Sequence, residues 1–329
     1  MALTDEGIVS IPGMMSRWVR LPNGARAHYT TTGETGPAVI LLHGGAAGSS
    51  GTAGWRFMAP FLGANGFRVY CPDQPGFGLS DPRPEYWPIH GALSHVEFVN
   101  DFANALCIDR FHLAGNSMGM INTSHYVVEH PDRVLSYILI AGNLGDLVPA
   151  DMRVGERVNI NIFDGTTDSM RKLMEFIINR RDLITDDLLE MRTRSANIQR
   201  ESYQAFFTTN LNNYGLAQKF SMKYRWPKVK VPGIYLYGMQ DVLSPVENGY
   251  HQEDACPNIQ FFYPDPCGHQ GQTDQPEIFN QVFLEFFRDG RVRRATADAA
   301  GVSKRRPELA QFVEQPDEVA QRQESPAGV

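Results

Sequence analysis

The sequence predicts an α/β fold: a mostly parallel central sheet, an antiparallel edge on its N-terminal side and an all-helical insert. Three observations carry this. Short, continuous apolar runs alternate with helix-like stretches, as strands buried on both faces and joined by crossover helices require. An Asn23-Gly24 turn lies between two alternating segments near the start. The alternation stops near residue 144 and resumes near 227, with only helical patterns between.

In chain order, Arg17–Leu21 and Ala25–Thr32 alternate around Pro22-Asn23-Gly24 and read as a hairpin, which supplies the antiparallel edge. Ala38-Val39-Ile40-Leu41-Leu42 is apolar throughout, as for a strand covered on both faces. A helix-like stretch over Phe57–Asn65 follows, then a strand at Arg68–Cys71. Gly91–Leu106 has a helical pattern, Phe111–Ala114 is the next strand, and Met118–His130 is a helix that ends near Pro131. Val134–Ala141 is a strand. The insert, residues 144–226, carries helical stretches at Ser169–Asn179, Thr185–Ile198 and Tyr203–Asn212. Such an insert reads as a lid over the carboxyl ends of the strands, where open α/β sheets bind ligands. The rhythm resumes with strand Gly233–Tyr237, a helix at Val246–Ala255, strand Gln260–Tyr263 and a helix over Pro276–Arg288. The expected organisation is a core of residues 1–143 and 227–290, the lid 144–226 and a polar C-terminal tail, 291–329. Arg, Ala, Glu, Gln and Pro dominate that tail, which places it outside the core, disordered or as a loose helix.

With 42% apolar and 20% charged residues over 329 positions, the composition is that of an ordinary globular protein. The net charge of −7 argues against nucleic acid or an anionic membrane as partner and leaves a small-molecule substrate. Residues 1–10 include Asp5 and Glu6 and lack the basic start and apolar run of an export signal. No stretch approaches the roughly 20 apolar residues of a membrane span. Cys71, Cys107, Cys256 and Cys267 lack metal-type spacing. The expectation is a reduced, cytoplasmic protein with no metal, no organic cofactor and no disulfide framework; a homodimer is left open. Cys267 reads as a small buried filler.

The chemistry starts at Gly115-Asn116-Ser117-Met118-Gly119, between a strand and a helix. A serine on such a turn presents its hydroxyl above the sheet, and the following helix aims free N–H groups at developing negative charge. A serine hydroxyl needs a base, and that base needs an orienting carboxylate. Asp241 follows the strand at Gly233–Tyr237, and His269 follows the strand at Gln260–Tyr263. All three residues then project from one edge of the sheet in the order Ser, Asp, His. His90 and His95 read as lying in or near a polar loop before a helix, His112 as a strand residue, and His125 and His130 as facing away from the serine. His43-Gly44-Gly45 directly follows the strand Ala38–Leu42. Its backbone can approach a substrate oxygen, so Gly44, Gly45 (or Ala46) and the Met118 N–H are the candidate oxyanion donors.

These motifs, with Asp73-Gln74-Pro75-Gly76-Phe77-Gly78-Leu79-Ser80, Pro131-Asp132-Arg133-Val134, Gly238-Met239-Gln240-Asp241 and Gly268-His269, resemble the α/β-hydrolase superfamily over about residues 17–290. Within it the chain is similar to the meta-cleavage product hydrolases, in Asn116-Ser117-Met118-Gly119 and in the lid stretch Asp182–Arg192. That resemblance implies hydrolysis of a carbon–carbon bond in a ring-fission dienone acid, with Arg192 (Arg194 as the alternative) binding the carboxylate end. Asn116, Gln270 and Trp55 complete the substrate-binding candidates. Gln270 stands where that family usually has tryptophan, and Trp55-Arg56-Phe57 where it commonly has an asparagine. The same residues would serve a carboxylesterase or lactonase. A small-molecule receptor on a hydrolase scaffold is the alternative from another class.

Overall fold

The computed structural model describes residues 10–155, 158–207, 219 and 221–324. Strands β1 (Met15–Arg20) and β2 (Arg26–Thr32) form the N-terminal hairpin, followed by β3 (Ala38–Leu42), β4 (Arg68–Pro72), β5 (Phe111–Asn116), β6 (Val134–Ile140), β7 (Gly233–Leu236) and β8 (Gln260–Phe262). They make one eight-stranded sheet in the order β1-β2-β4-β3-β5-β6-β7-β8. β1 with β2, and β2 with β4, run antiparallel; the remaining pairs are parallel.

The continuous apolar runs become two-sided strands. Along β3, Val39 and Leu41 enter one core cluster while Ala38, Ile40 and Leu42 enter the other, the period of two that a pleated strand imposes. The faces are covered by α1 (Gly51–Trp55), α2 (Met58–Ala64), α3 (Ala92–Ala105), α4 (Met118–Glu129), α8 (Val246–Ala255), α9 (Gly271–Asp274) and α10 (Pro276–Asp289). The expected elements are recovered to within a few residues; the short helices α1 and α9 were not anticipated.

Between β6 and β7 lie α5 (Thr167–Ile177), α6 (Asp186–Ile198) and α7 (Arg200–Phe207). Thr166 and Thr185 cap α5 and α6 by accepting from Ser169 N and Leu188 N. The last five residues of the helix expected over Tyr203–Asn212 lie outside the described residues. Among the contacts that fix the insert to the core, two stand at the loop between α5 and α6. The Asp274 carboxylate accepts the N–H groups of Asn179 (2.7 Å), Arg180 (3.0 Å) and Gly268 (2.7 Å). Arg56 Nη2 reaches Leu183 O at 3.2 Å.

The C-terminal segment corrects the expectation of a tail outside the core. Helices α11 (Arg294–Ala299) and α12 (Pro316–Glu324) frame a packed extension, and Val292, Ala297, Ala300, Val302, Phe312 and Val313 are buried in the cluster that holds α10. Tyr263 N donates to Gly301 O (2.7 Å) and Ser303 N to Phe261 O (2.9 Å), so residues 301–303 line the outer edge of β8. Among the described residues, no helix is long and apolar enough to cross a membrane.

Candidate active site

β5 ends in the turn that carries Ser117, and α4 begins at Met118. Ser117 has φ 58°, a left-handed conformation that side chains rarely adopt. Its flanking glycines allow the turn: a Cβ on Gly115 would overlap the Gly119 carbonyl, and one on Gly119 the Leu42 carbonyl. Ser117 N is engaged by Ile140 O at 2.9 Å, whereas the amide of Met118, at the first position of α4, belongs to the set that helix geometry leaves unpaired.

Asp241 and His269 come together. His269 Nδ1 lies 2.8 Å from Asp241 Oδ2, and both residues are buried. The other carboxylate oxygen of Asp241 accepts from Leu243 N (2.9 Å) and Ser244 N (3.0 Å), so the aspartate closes its own turn and holds the imidazole at once. Nδ1 therefore carries the proton given to the carboxylate and leaves Nε2 as the acceptor. Cys267, two residues away, is buried; burial pushes its thiol up and keeps it protonated.

Two cavities meet at this serine. A small one of about 210 Å³ is lined by Gly44, Gly45, Ala46, Asn116, Ser117, Met118, Arg192, Phe206, His269 and Gln270 among others. A larger one of about 1160 Å³ is lined by Asn143, Asp146, Arg153, Asn159 and Asn161, with Val158 and Ser244. Ser117, Ile121, Ile160, Leu243 and His269 border both, so a molecule seated at the serine can extend either way. His125, expected to face away from the serine, lines the larger cavity.

Arg192 is the most unusual group here. It is 1% exposed, and its Nη2 donates to Ala47 O (3.1 Å) and Ser49 Oγ (3.0 Å), both neutral acceptors. Its Nε has no partner among the described residues. Burial, with the Arg56 charge second, pulls its pKa down to about 9, still well above neutrality, so it remains a cation. Arg194, the alternative, lies 4.0 Å from Glu190 along α6 and is partly exposed.

The other substrate-binding candidates divide. Gln270 lines the small cavity, and its Oε1 is buried without a partner among the described residues. Asn116 also lines it, but its amide nitrogen donates to His269 O at 2.9 Å and Ile140 O at 3.4 Å. Its place is to tie the histidine loop to the serine turn. Trp55 is a correction: it is fully buried in the core, with its ring 6.1 Å from that of Phe283, and does not line either cavity. Among the described residues, no cluster of three His, Cys, Asp or Glu could hold a metal ion.

A family profile described as the alpha/beta hydrolase fold matches residues 37–276. The chain is 31% identical over 276 residues to the 2-hydroxy-6-oxo-6-phenylhexa-2,4-dienoate hydrolase of Burkholderia cepacia, covering 80% of this chain and 92% of that one. It is 30% identical over 275 residues to the 2-hydroxy-6-oxononadienedioate/2-hydroxy-6-oxononatrienedioate hydrolase of Comamonas testosteroni, with the same coverage of 80% and 92%. Among solved structures, the meta-cleavage product hydrolase of Pseudomonas fluorescens IP01 superposes with a TM-score of 0.69 at 25% identity, over 83% of this chain and 98% of that one. The sheet order, the match over most of the chain and these relatives agree: the protein is a hydrolase that belongs to the alpha/beta hydrolase fold family and resembles its meta-cleavage product hydrolases.

Proposed function

We propose that this chain is a serine-dependent hydrolase that cleaves a carbon–carbon bond in a 2-hydroxy-6-oxo dienoate produced by aromatic ring fission. The observation that carries the reading is Arg192, a buried cation that has no carboxylate partner among the described residues and lines the cavity that also holds Ser117 and His269. A guanidinium left in that state is costly unless an anion arrives to pair with it. The dienoate carboxylate is such an anion, and the dienoate hydrolases of Burkholderia and Comamonas are named for compounds that carry one.

In this mechanism Arg192 holds the carboxylate end while the dienol ketonises: the proton leaves the 2-hydroxyl and a proton is added at carbon 5. His269, oriented by Asp241, then takes the proton of Ser117, whose oxygen adds to the carbon 6 ketone. The Met118 N–H and the Gly44–Gly45 loop hold the resulting oxyanion. Collapse breaks the bond between carbons 5 and 6; the electron pair runs into the conjugated 2-oxo group, and His269 returns its proton. Water, deprotonated by His269, releases the acyl group from Ser117. The residues required are all from this chain. The carboxylate end fits the compartment of Arg192 and Gln270, and the acyl end the larger compartment.

The test is steady-state kinetics on a 2-hydroxy-6-oxo dienoate beside a carboxyl-free aryl ester. Turnover of the dienoate, lost in Ser117→Ala, is the expected result. Ester turnover with no carbon–carbon cleavage would replace this reading with that of a carboxylesterase or lactonase. Tight binding with negligible turnover of either would favour a receptor.

A further inference from the structure

The loop that would hold the oxyanion is aimed from behind by a buried polar relay that no sequence motif announced. His43, Gln74, His95 and Asn122 are each 1% exposed or less. Gln74 Nε2 donates to His43 O at 3.0 Å, and Gln74 N donates to His43 Nε2 at 3.0 Å. With Nε2 accepting, His43 Nδ1 is the donor, and it reaches Gly44 O at 2.8 Å. Asn122, on α4 five residues past Ser117, donates through Nδ2 to Gln74 Oε1 (2.6 Å) and to His95 Nδ1 (2.9 Å). His95 in turn gives Nε2–H to Pro75 O at 3.0 Å, and its ring stacks on Phe206 with centroids 5.0 Å apart. Burial lowers the pKa of His43 to about 4 and of His95 to about 3, so both stay neutral and each keeps a single tautomer.

Peptide planarity gives these bonds a consequence. In a trans peptide the N–H points opposite to the carbonyl of the same unit. Gln74 grips the carbonyl of the His43–Gly44 peptide, so it sets the direction of the Gly44 N–H. His43 grips the carbonyl of the Gly44–Gly45 peptide, so it sets the direction of the Gly45 N–H. Each carbonyl so held also polarises its own N–H and makes it a stronger donor. Asn122 ties this aim to the helix that begins at the nucleophile.

We propose that Gln74 and Asn122 are positioning residues for the oxyanion site: through two peptide planes they fix where the Gly44 and Gly45 N–H groups point relative to Ser117. This rests on the serine-hydrolase reading above and adds to it two residues that touch no substrate. A network serving stability alone has no need to terminate on these two carbonyls, and Asn122 Oδ1 is left buried without a partner among the described residues.

The experiment compares wild type with Gln74→Met, the double variant Gln74→Met/Asn122→Leu, and Gln74→Asn. Each is measured for melting temperature, for kcat and KM on a dienone acid or p-nitrophenyl acetate, and for the rate of Ser117 labelling by a fluorophosphonate. The single Gln74→Met strands a buried amide and loses both stability and rate. The double variant removes the paired Gln74 and Asn122 amides together and recovers part of the lost melting temperature. Its kcat stays down by about 10- to 100-fold with KM within about threefold, a fraction of what losing an oxyanion donor outright costs. Gln74→Asn, which keeps an amide but shortens its reach, weakens a trifluoromethyl ketone, whose hemiketal oxygen mimics the oxyanion, by about tenfold more than it weakens substrate binding. A double variant with wild-type melting temperature and wild-type kcat overturns the proposal, as does unchanged trifluoromethyl ketone affinity in Gln74→Asn. Failure of the fluorophosphonate to label Ser117 in the wild type would instead remove the serine-hydrolase reading itself.

Discussion

Arg192 at the catalytic edge and Glu253 beneath the C-terminal extension are both 1% exposed, yet they keep opposite electrostatic company. Glu253 accepts from Tyr263 OH at 2.8 Å and faces Arg305 at 3.3 Å and Arg306 at 3.8 Å. Glu285, equally buried, accepts from Arg293 N at 2.8 Å and Thr296 Oγ1 at 3.0 Å. These carboxylates are answered within the chain, and the extension is fastened by them. Among the described residues, Arg192 is answered by a carbonyl and a hydroxyl. A charge paired internally holds architecture together; on the function proposed above, a charge buried without its counter-ion is kept for a ligand.

Three experiments would break or sharpen that contrast, and a fourth probes the fold outside both regions. The largest effect belongs to the proposed nucleophile: Ser117→Ala should lower kcat by at least about 10⁴-fold while the melting temperature stays near wild type. A variant that kept substantial activity would remove Ser117 from the mechanism. Next, Arg192→Met should lower kcat/KM for a carboxylate-bearing dienone by about 10²- to 10³-fold and spare a carboxyl-free ester. Its stability should hold or rise, since an uncompensated buried charge is gone. A large loss of stability would instead make Arg192 an architectural residue like its counterparts under the extension. Third, Glu253→Gln should cost about 1–3 kcal/mol in chemical denaturation, with the screened, partly exposed Arg305 contributing little, and should leave kcat unchanged. A fall in kcat at constant stability would contradict the division of labour.

The smallest effect lies in neither region. Burial lowers the pKa of His112, hydrogen-bonded to Ser136 Oγ at 2.8 Å, to about 4. In the unfolded chain it titrates near 6.5, so between these values the unfolded state binds more protons and stability falls as pH falls. This contribution is whole above about pH 6.5 and is lost as pH drops through about 4. His112→Phe should flatten that acid limb by about 1 kcal/mol per pH unit, read from denaturation midpoints between pH 7 and 4. An unchanged slope would mean that the ring is already protonated in the fold.

Much of the frame was legible along the chain. Val39 and Leu41 against Ile40 and Leu42 could be read as a two-sided strand because strand periodicity is local. Asp241 and His269 could be placed at one edge because each directly follows a strand. The extension was misread for a physical reason. Its large apolar residues are few and widely spaced, as Val292 between Arg291 and Arg293 and Val302 between Gly301 and Ser303, and its arginines are matched to carboxylates elsewhere in the fold, as Arg294 is to Glu308 at 2.6 Å. Composition registers the charges and not their partners. Trp55 was assigned to the pocket from its place along the chain, where the resembling family commonly has an asparagine, and a position in sequence does not say which way a side chain packs.

What the sequence by itself determined is the fold class, the order Ser117, Asp241, His269 and the glycine-rich approach at Gly44 and Gly45. These follow from spacing along the chain and from which residue types a sharp turn admits. Only the tertiary structure decided that Arg192 rather than Arg194 lines the small cavity, that Trp55 belongs to the core, and that Gln74 and Asn122 stand behind the His43 loop. Those facts depend on which side chains from distant parts of the chain are brought together in the absence of water, and burial of that kind has no local signature.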